Sequence, residues 1–307
     1  MPFKENHIWV ADIGEASVKI IQAKRKSEGS LEIVRTFRKR SLTKDAFFSA
    51  PRKEDFEVLA DCLTDYRRGD QITILLKDPA VIIEPFMIKA VSEQSLEDIV
   101  YWKMKKLSAE TQKKWHYDYV AGQRLEVFEQ LGLEERHFDV VGIYAEKELI
   151  KTCQKLFKAG DYRVTKIIPQ FLGLGKILEK QGIKNALLVD LGSSQVTIYQ
   201  YYEGVLRHQA KLAIDPSRSH EENLANISNS IENQIRLYQD KRERERSQLY
   251  LIGGGALNPG VRNYFMDHEK WELADLCQLI KEDLWNHQDL AQESVSLFFT
   301  AMAGLLV

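Results

Sequence analysis

The feature that most limits what this chain can become is one strand–turn–strand device written twice, far apart. Between Leu187 and Thr197 the sequence reads LLVDLGSSQVT. Apolar Leu187, Leu188 and Val189 carry a buried strand to Asp190, Gly192 with Ser193 and Ser194 turns it, and Val196 and Ile198 resume at period two. Near the N-terminus IWVADIGEASVKIIQAK repeats the pattern: Ile8, Val10 and Ala11 lead to Asp12, Ile13 and Gly14 turn, and Val18, Ile20 and Ala23 alternate. Such a turn gathers backbone N–H groups and small hydroxyls opposite a carboxylate, a combination that suits a phosphate with its Mg²⁺. Taken alone, either copy is more often only a hairpin turn. A third glycine device follows in LYLIGGGALNPGV, where the apolar strand of Leu249, Leu251 and Ile252 runs into Gly253, Gly254 and Gly255. Glycines placed there let a ligand or another backbone approach where a Cβ would collide.

Composition narrows the class. With 307 residues the chain can bury a large core, and 44% hydrophobic with 29% charged residues is ordinary for a folded soluble protein. A formal net charge of -2 gives no electrostatic reason to bind nucleic acid. Cys62, Cys153 and Cys277 lie far apart without C-x-x-C spacing, which fits a reducing cytoplasm. MPFKENHIWVADIG lacks the apolar core of a secretory signal, and SVSLFFTAMAGLLV at 294–307 is too short and too interrupted to span a bilayer, so it is expected as a buried C-terminal helix. The seven histidines show no H-x-x-x-H spacing and no G-x-S-x-G occurs; GLGK at 173–176 lacks the first glycine and the hydroxyl of a phosphate loop.

Taken in order, the chain predicts a strand meander from Ile8 to Arg40, a helix over 52–68 on Phe56, Leu59, Ala60 and Leu63, and a buried strand at 72–76. An α+β stretch follows from 80 to 163. Its first helix is expected to be capped by Ser95 with Asp98 answering, and to bury Leu96, Ile99, Val100, Met104 and Leu107. Tyr101 and Trp102 fall outside that stripe, so the neighbouring subdomain or a partner's peptide must cover them. Residues 166–180 are read as a helix returning to the second hairpin, and Leu224, Ile227, Ile231, Ile235 and Tyr238 as another, ending in the solvated KRERER run at 241–246.

Two D-x-G hairpins followed by a Gly-Gly turn resemble the superfamily of actin, sugar kinases and DnaK-type chaperones. Within it, DIGEASVK at 12–19, VIIEPFMIKAVSEQSLEDIVYWKMKKL at 81–107, LLVDLGSSQVTIY at 187–199, ENQIRLYQ at 232–239 and LIGGGALNPGV at 251–261 resemble the PilM family of type IV pilus assembly, relatives of the division protein FtsA. The resemblance implies an α/β fold of duplicated RNase H-type halves at 1–79 and 164–307, an inserted α+β subdomain at 80–163, and a C-terminal helix returning to the first half. It implies that Asp12 and Asp190 face each other across one cleft and hold Mg²⁺ largely through water. Lys19 would reach a phosphate of ATP, with Gly14, Glu15, Ser17, Gly192, Ser193 and Ser194 around it and Gly253, Gly254 and Gly255 against the adenosine. Two departures leave a site that binds ATP with Mg²⁺ and a degenerate pseudo-site as equal alternatives, with weak or no hydrolysis expected. Glu15 puts a carboxylate where the family has a small residue, and the segment that meets adenine in the family is missing before the helix at 224–240.

The function implied is a cytoplasmic scaffold, peripheral to the inner membrane. It would bind the cytoplasmic N-terminal peptide of a PilN-like bitopic assembly protein in a groove where the insertion meets the first half, with Tyr101 and Trp102 as anchors, and relay to the assembly ATPase. A type II secretion counterpart is the nearest alternative; a small-molecule kinase and an FtsA-like division protein are others.

Overall fold

The computed structural model describes residues 7–13, 17–26, 30–40, 53–77, 81–90, 92–110, 114–124, 136–238, 247–266, 268–280 and 292–307. Its first hairpin is β1 (His7–Ile13) with β2 (Ser17–Arg25), antiparallel, placing Asp12 opposite Lys19. Strand β3 (Leu31–Arg40) extends the meander on one side, and β4 (Gln71–Leu76) lies parallel to β1 on the other. Trp9, Val10 and Ala11 are all fully buried. A strand with no accessible face carries an unbroken apolar run instead of alternation. Helix α1 (Lys53–Cys62) is shorter than the expected span; turns follow it to Asp70, whose carboxylate accepts from the His7 and Arg67 amides and from Trp9 Nε1. The side chain of Phe56 lies outside the described residues.

The insertion forms a separate three-stranded antiparallel sheet from β5 (Val81–Ala90), β6 (Trp115–Arg124) and β7 (Arg136–Glu146), in the order β5-β7-β6. Helix α2 (Glu93–Glu110) covers it with Leu96, Val100 and Met104 against Ile88, Phe138, Val140 and Tyr144. The cap stands one turn earlier than expected. Ser92 Oγ accepts from the Ser95 amide and Ser95 Oγ accepts from the Ser92 amide, a reciprocal box in which serine replaces the usual glutamate. Ile99 is 40% exposed, so the buried stripe is narrower than the periodicity suggests; Leu107's side chain lies outside the described residues.

Helix α3 (Lys147–Ala159) leads to β8 (Val164–Pro169), which pairs parallel with β4 and completes a five-stranded sheet in the order β3-β2-β1-β4-β8. This corrects the reading of 166–180 as one helix. The β-branched residues Val164, Thr165, Ile167 and Ile168 extend as a strand of the first sheet, and Pro169, unable to donate to a ladder, precedes α4 (Gln170–Lys180).

The second half repeats the first. Strands β9 (Asn185–Leu191) and β10 (Gln195–Tyr202) make the second hairpin, with Asp190 opposite Thr197. With β11 (Val205–Ala213), β12 (Ser247–Ile252) and β13 (Trp271–Leu273) they form a sheet in the order β11-β10-β9-β12-β13, with parallel and antiparallel pairings matching those of the first. Helix α5 (His220–Tyr238) opens on a capping box, Ser219 exchanging bonds with Glu222, and packs Leu224, Ile227, Ile231 and Ile235 on this sheet. Helix α6 (Pro259–Met266) follows the glycine turn. Between the halves runs α7 (Gln292–Gly304), the expected apolar C-terminal helix. A Cβ on Gly304 would meet Val10 and Leu75 of the first sheet at 2.9 Å, and one on Gly173 of α4 would meet the Ala303 backbone at 2.6 Å. The KRERER run and the stretch 281–291 lie outside the described residues.

Candidate functional site

Each hairpin ends its first strand on a carboxylate, and the sheets bring the two ends together. Asp12 is fully buried. Lys19, directly across the hairpin, donates from Nζ to Asp12 Oδ2 at 2.9 Å. Lys77, just beyond β4, places its Nζ 2.9 Å from Asp12 Oδ1 and 3.8 Å from Asp190 Oδ2, so one ammonium touches the carboxylates of both halves. Gln170, the first residue of α4, donates from Nε2 to Asp190 Oδ2 at 2.9 Å, while its buried Oε1 has no hydrogen-bond partner.

Burial would raise the Asp12 pKa, since a carboxylate loses its hydration, but the ammonium groups of Lys19 and Lys77 reverse this and hold it at about 2. Burial would likewise favour neutral Lys77, and Asp12 and Asp190 outweigh it, pushing Lys77 up to about 12. Asp12 and Lys77 therefore both stay charged across the physiological range.

The third glycine device is shaped by the protein's own backbone. Gly253 has φ 86°, and a Cβ there would run into Asp190 Oδ1 and lie 2.9 Å from the Leu191 carbonyl oxygen. A Cβ on Gly255 would press on Leu191 Cβ at 2.8 Å, whereas Gly254 faces open space. Two of the three glycines are thus required by the approach of this turn to β9. Gly192, Ser193 and Ser194 are exposed at the second turn, whose amide and carbonyl ends are tied by Gly192 N–H to the Gln195 carbonyl and by Ile214 N–H to the Ser194 carbonyl. Ser17 is buried at the start of β2. Gly14 and Glu15 lie outside the described residues.

Sequence reading missed Lys77 and Gln170. Lys77 ends the run ITILLK, and a charged residue closing a buried parallel strand is a signal that could have been read; Gln170 directly after Pro169 carries none.

A metal at the carboxylate pair can be tested against these contacts. Magnesium needs near-octahedral oxygen ligands at roughly 2.0–2.1 Å and keeps several waters. Lys19 hydrogen-bonds Asp12 Oδ2, Lys77 stands 2.9 Å from Oδ1 as an ion pair without hydrogen-bond geometry, and Asp190 Oδ2 is shared by Gln170 and Lys77. The residues as arranged do not fit a divalent ion.

On the insertion, Tyr101 and Trp102 face outward from α2, 43% and 64% exposed. Their rings meet edge to face at 5.6 Å, Tyr117 of β6 stands 6.4 Å from Tyr101, and Lys105 Nζ lies 4.9 Å from the Trp102 ring centroid. Among the described residues the halves leave Trp102 uncovered; β11 of the second half meets the insertion elsewhere, where Val205 crowds Gly122 and Arg207 approaches Asp139 at 3.5 Å.

No family model matches the sequence, and no curated protein matches it. Solved structures do match in shape. Over 99% of this chain and 98% of the other, it is similar to a chain of a structure described as the PilM-PilN type IV pilus biogenesis complex, with TM-score 0.70 at 12% identity. It is similar, with TM-score 0.51 at 12% identity, to the cytoplasmic domain of EpsL, an inner membrane component of the type II secretion system of Vibrio cholerae, over 94% of this chain and 98% of that one. The ethanolamine utilization protein EutJ from Carboxydothermus hydrogenoformans gives the same score and identity over 100% and 91%. The fold is that of the matched chain of the PilM-PilN structure: an α/β protein of duplicated halves, with a subdomain inserted in the first.

Proposed function

We propose that this chain is a cytoplasmic scaffold of type IV pilus assembly, or of a related type II secretion apparatus. It docks the cytoplasmic tail of a PilN-like inner-membrane protein on its inserted subdomain and is held at the membrane by that partner. The observation that carries the reading is the exposed aromatic surface of Tyr101, Trp102 and Tyr117 on a subdomain whose own core is already filled by Leu96, Val100 and Met104. Large rings left in water beside a finished core suit anchors for a peptide, which loses entropy on docking and needs a few strong contacts. The whole-length likeness to the PilM chain supports the same reading. The assembly ATPase is a second partner on this reading.

The ATP site is degenerate in this account. Asp12 and Asp190 serve as ion-pair partners of Lys19 and Lys77, and Glu15 adds a further carboxylate to the first turn. A kinase would need a free general base beside its acceptor; Asp12, held near pKa 2 and sealed by two lysines, cannot serve.

The experiment is calorimetric titration of the chain with a synthetic peptide carrying the cytoplasmic N-terminal segment of the PilN-type protein of the same genome. Trp102→Ala should weaken binding by about 2 kcal/mol or more and leave the melting temperature unchanged. A drop in melting temperature with unaltered affinity of the folded protein would assign Trp102 to packing alone.

A further inference from the structure

We propose that Lys77 is the resident cation of the carboxylate pair: its ammonium stands between Asp12 and Asp190 in place of a divalent ion, so the pocket is closed to Mg²⁺ and Mn²⁺, and a phosphate ligand entering it comes without a divalent metal. The inference deepens the degenerate-site reading and rests on it.

The duplication locates the substitution. In the first half Asp12 is in register with Leu75 of β4, and in the second Asp190 is in register with Ile252 of β12. Two residues further on stand Lys77 and Gly254 respectively. One half therefore supplies a cation at the place where the other supplies a bare glycine facing open space. Opposite the carboxylates the halves differ as well: Lys19 faces Asp12, whereas Thr197 faces Asp190. A single set of lysines on the first half thus serves both carboxylates.

Among the described residues the charges balance without a metal. Two carboxylates meet two ammonium groups at 2.9, 2.9 and 3.8 Å, with Lys77 only 22% exposed. A divalent ion could reach the carboxylates only by displacing Lys77, and the displaced ammonium would remain tethered nearby and repel the ion that replaced it. Gln170 further occupies Asp190 Oδ2.

The test is Mn²⁺ titration of the full chain, following free Mn²⁺ by electron paramagnetic resonance. Wild type should leave the ion free. Lys77→Ala should bind one Mn²⁺ at least about tenfold more tightly than wild type, the gain should disappear in Lys77→Ala/Asp190→Asn, and Mn²⁺ should raise the melting temperature of Lys77→Ala alone. Lys77→Met, which keeps most of the aliphatic stem, carries the same test if the alanine variant fails to fold. Wild-type Mn²⁺ binding abolished by Asp190→Asn overturns the proposal, as does a folded Lys77 variant that gains no Mn²⁺ affinity. Tail-peptide binding reports on Trp102 separately, so a chain that takes Mn²⁺ and still captures the peptide keeps the scaffold and loses this inference.

Discussion

Asp12 concentrates the residue-scale argument, because a fully buried carboxylate stays ionised only where cations are built in beside it. Its pKa, about 2, lies below the ordinary 3.8. The stabilisation from this shift is therefore fully present above pH 3.8 and is lost as pH falls through 2, on the order of 2 kcal/mol in all. Asp12→Asn should be less stable at pH 7, yet lose less than wild type between pH 4 and pH 2. Urea unfolding at both ends of that window checks it, and equal losses in the two proteins would contradict it. Asp12, Lys19 and Asp190 were legible because each belongs to a short motif whose residues stay neighbours in the fold. Lys77 was missed, since its local mark, a charge closing the run ITILLK, does not name its partner, and only the parallel pairing of β1 with β4 carries it to Asp12.

At the scale of elements, the glycine turn after β12 separates close approach from ligand access. Gly253→Ala forces a side chain into the left-handed region at φ 86° and against Asp190, whereas Gly254→Ala meets nothing within 4 Å. The first should cost about 1–3 kcal/mol and the second no more than about 0.5 kcal/mol. Chemical denaturation of the pair decides, and equal costs would contradict the packing described. A like comparison applies where α4 crosses α7. Gly173→Ala would place a Cβ 2.6 Å from the Ala303 backbone and should destabilise by about 1–3 kcal/mol through overpacking, measured the same way. Strong periodicity made α5, α7 and the central strands readable. β8 was lost because VTKIIP alternates too weakly to separate from the helix after it, and its assignment depends on a partner strand far upstream. The α2 cap was misplaced because three candidate side chains, Ser92, Ser95 and Asp98, stand at one helix start, and the choice falls to the residue whose carbonyl receives the Leu96 amide.

For the whole molecule, the duplication seen in two D-x-G turns extends to two five-stranded sheets of the same order, joined by α4 and α7. Halves related in this way bring the ends of β1 and β9 together, which is why Asp12 and Asp190, so distant in sequence, converge on one ammonium. The repeated strand–turn–strand devices pointed to the duplication, and the rest of this architecture came from the family resemblance they carry. Sequence could not convey the charge state of the cleft, which depends on side chains from β1, β2, the residue after β4, α4 and β9 at once. On the proposed function the chain is a docking scaffold without a metal–nucleotide cycle. The most direct measurement is titration of the chain with the tail peptide in the presence and absence of Mg-ATP, with phosphate release followed in parallel. The account predicts peptide affinities that agree within about twofold, as expected for sites without coupling, and no sustained release of phosphate. Steady ATP turnover, or peptide binding that appears only with Mg-ATP, would contradict it.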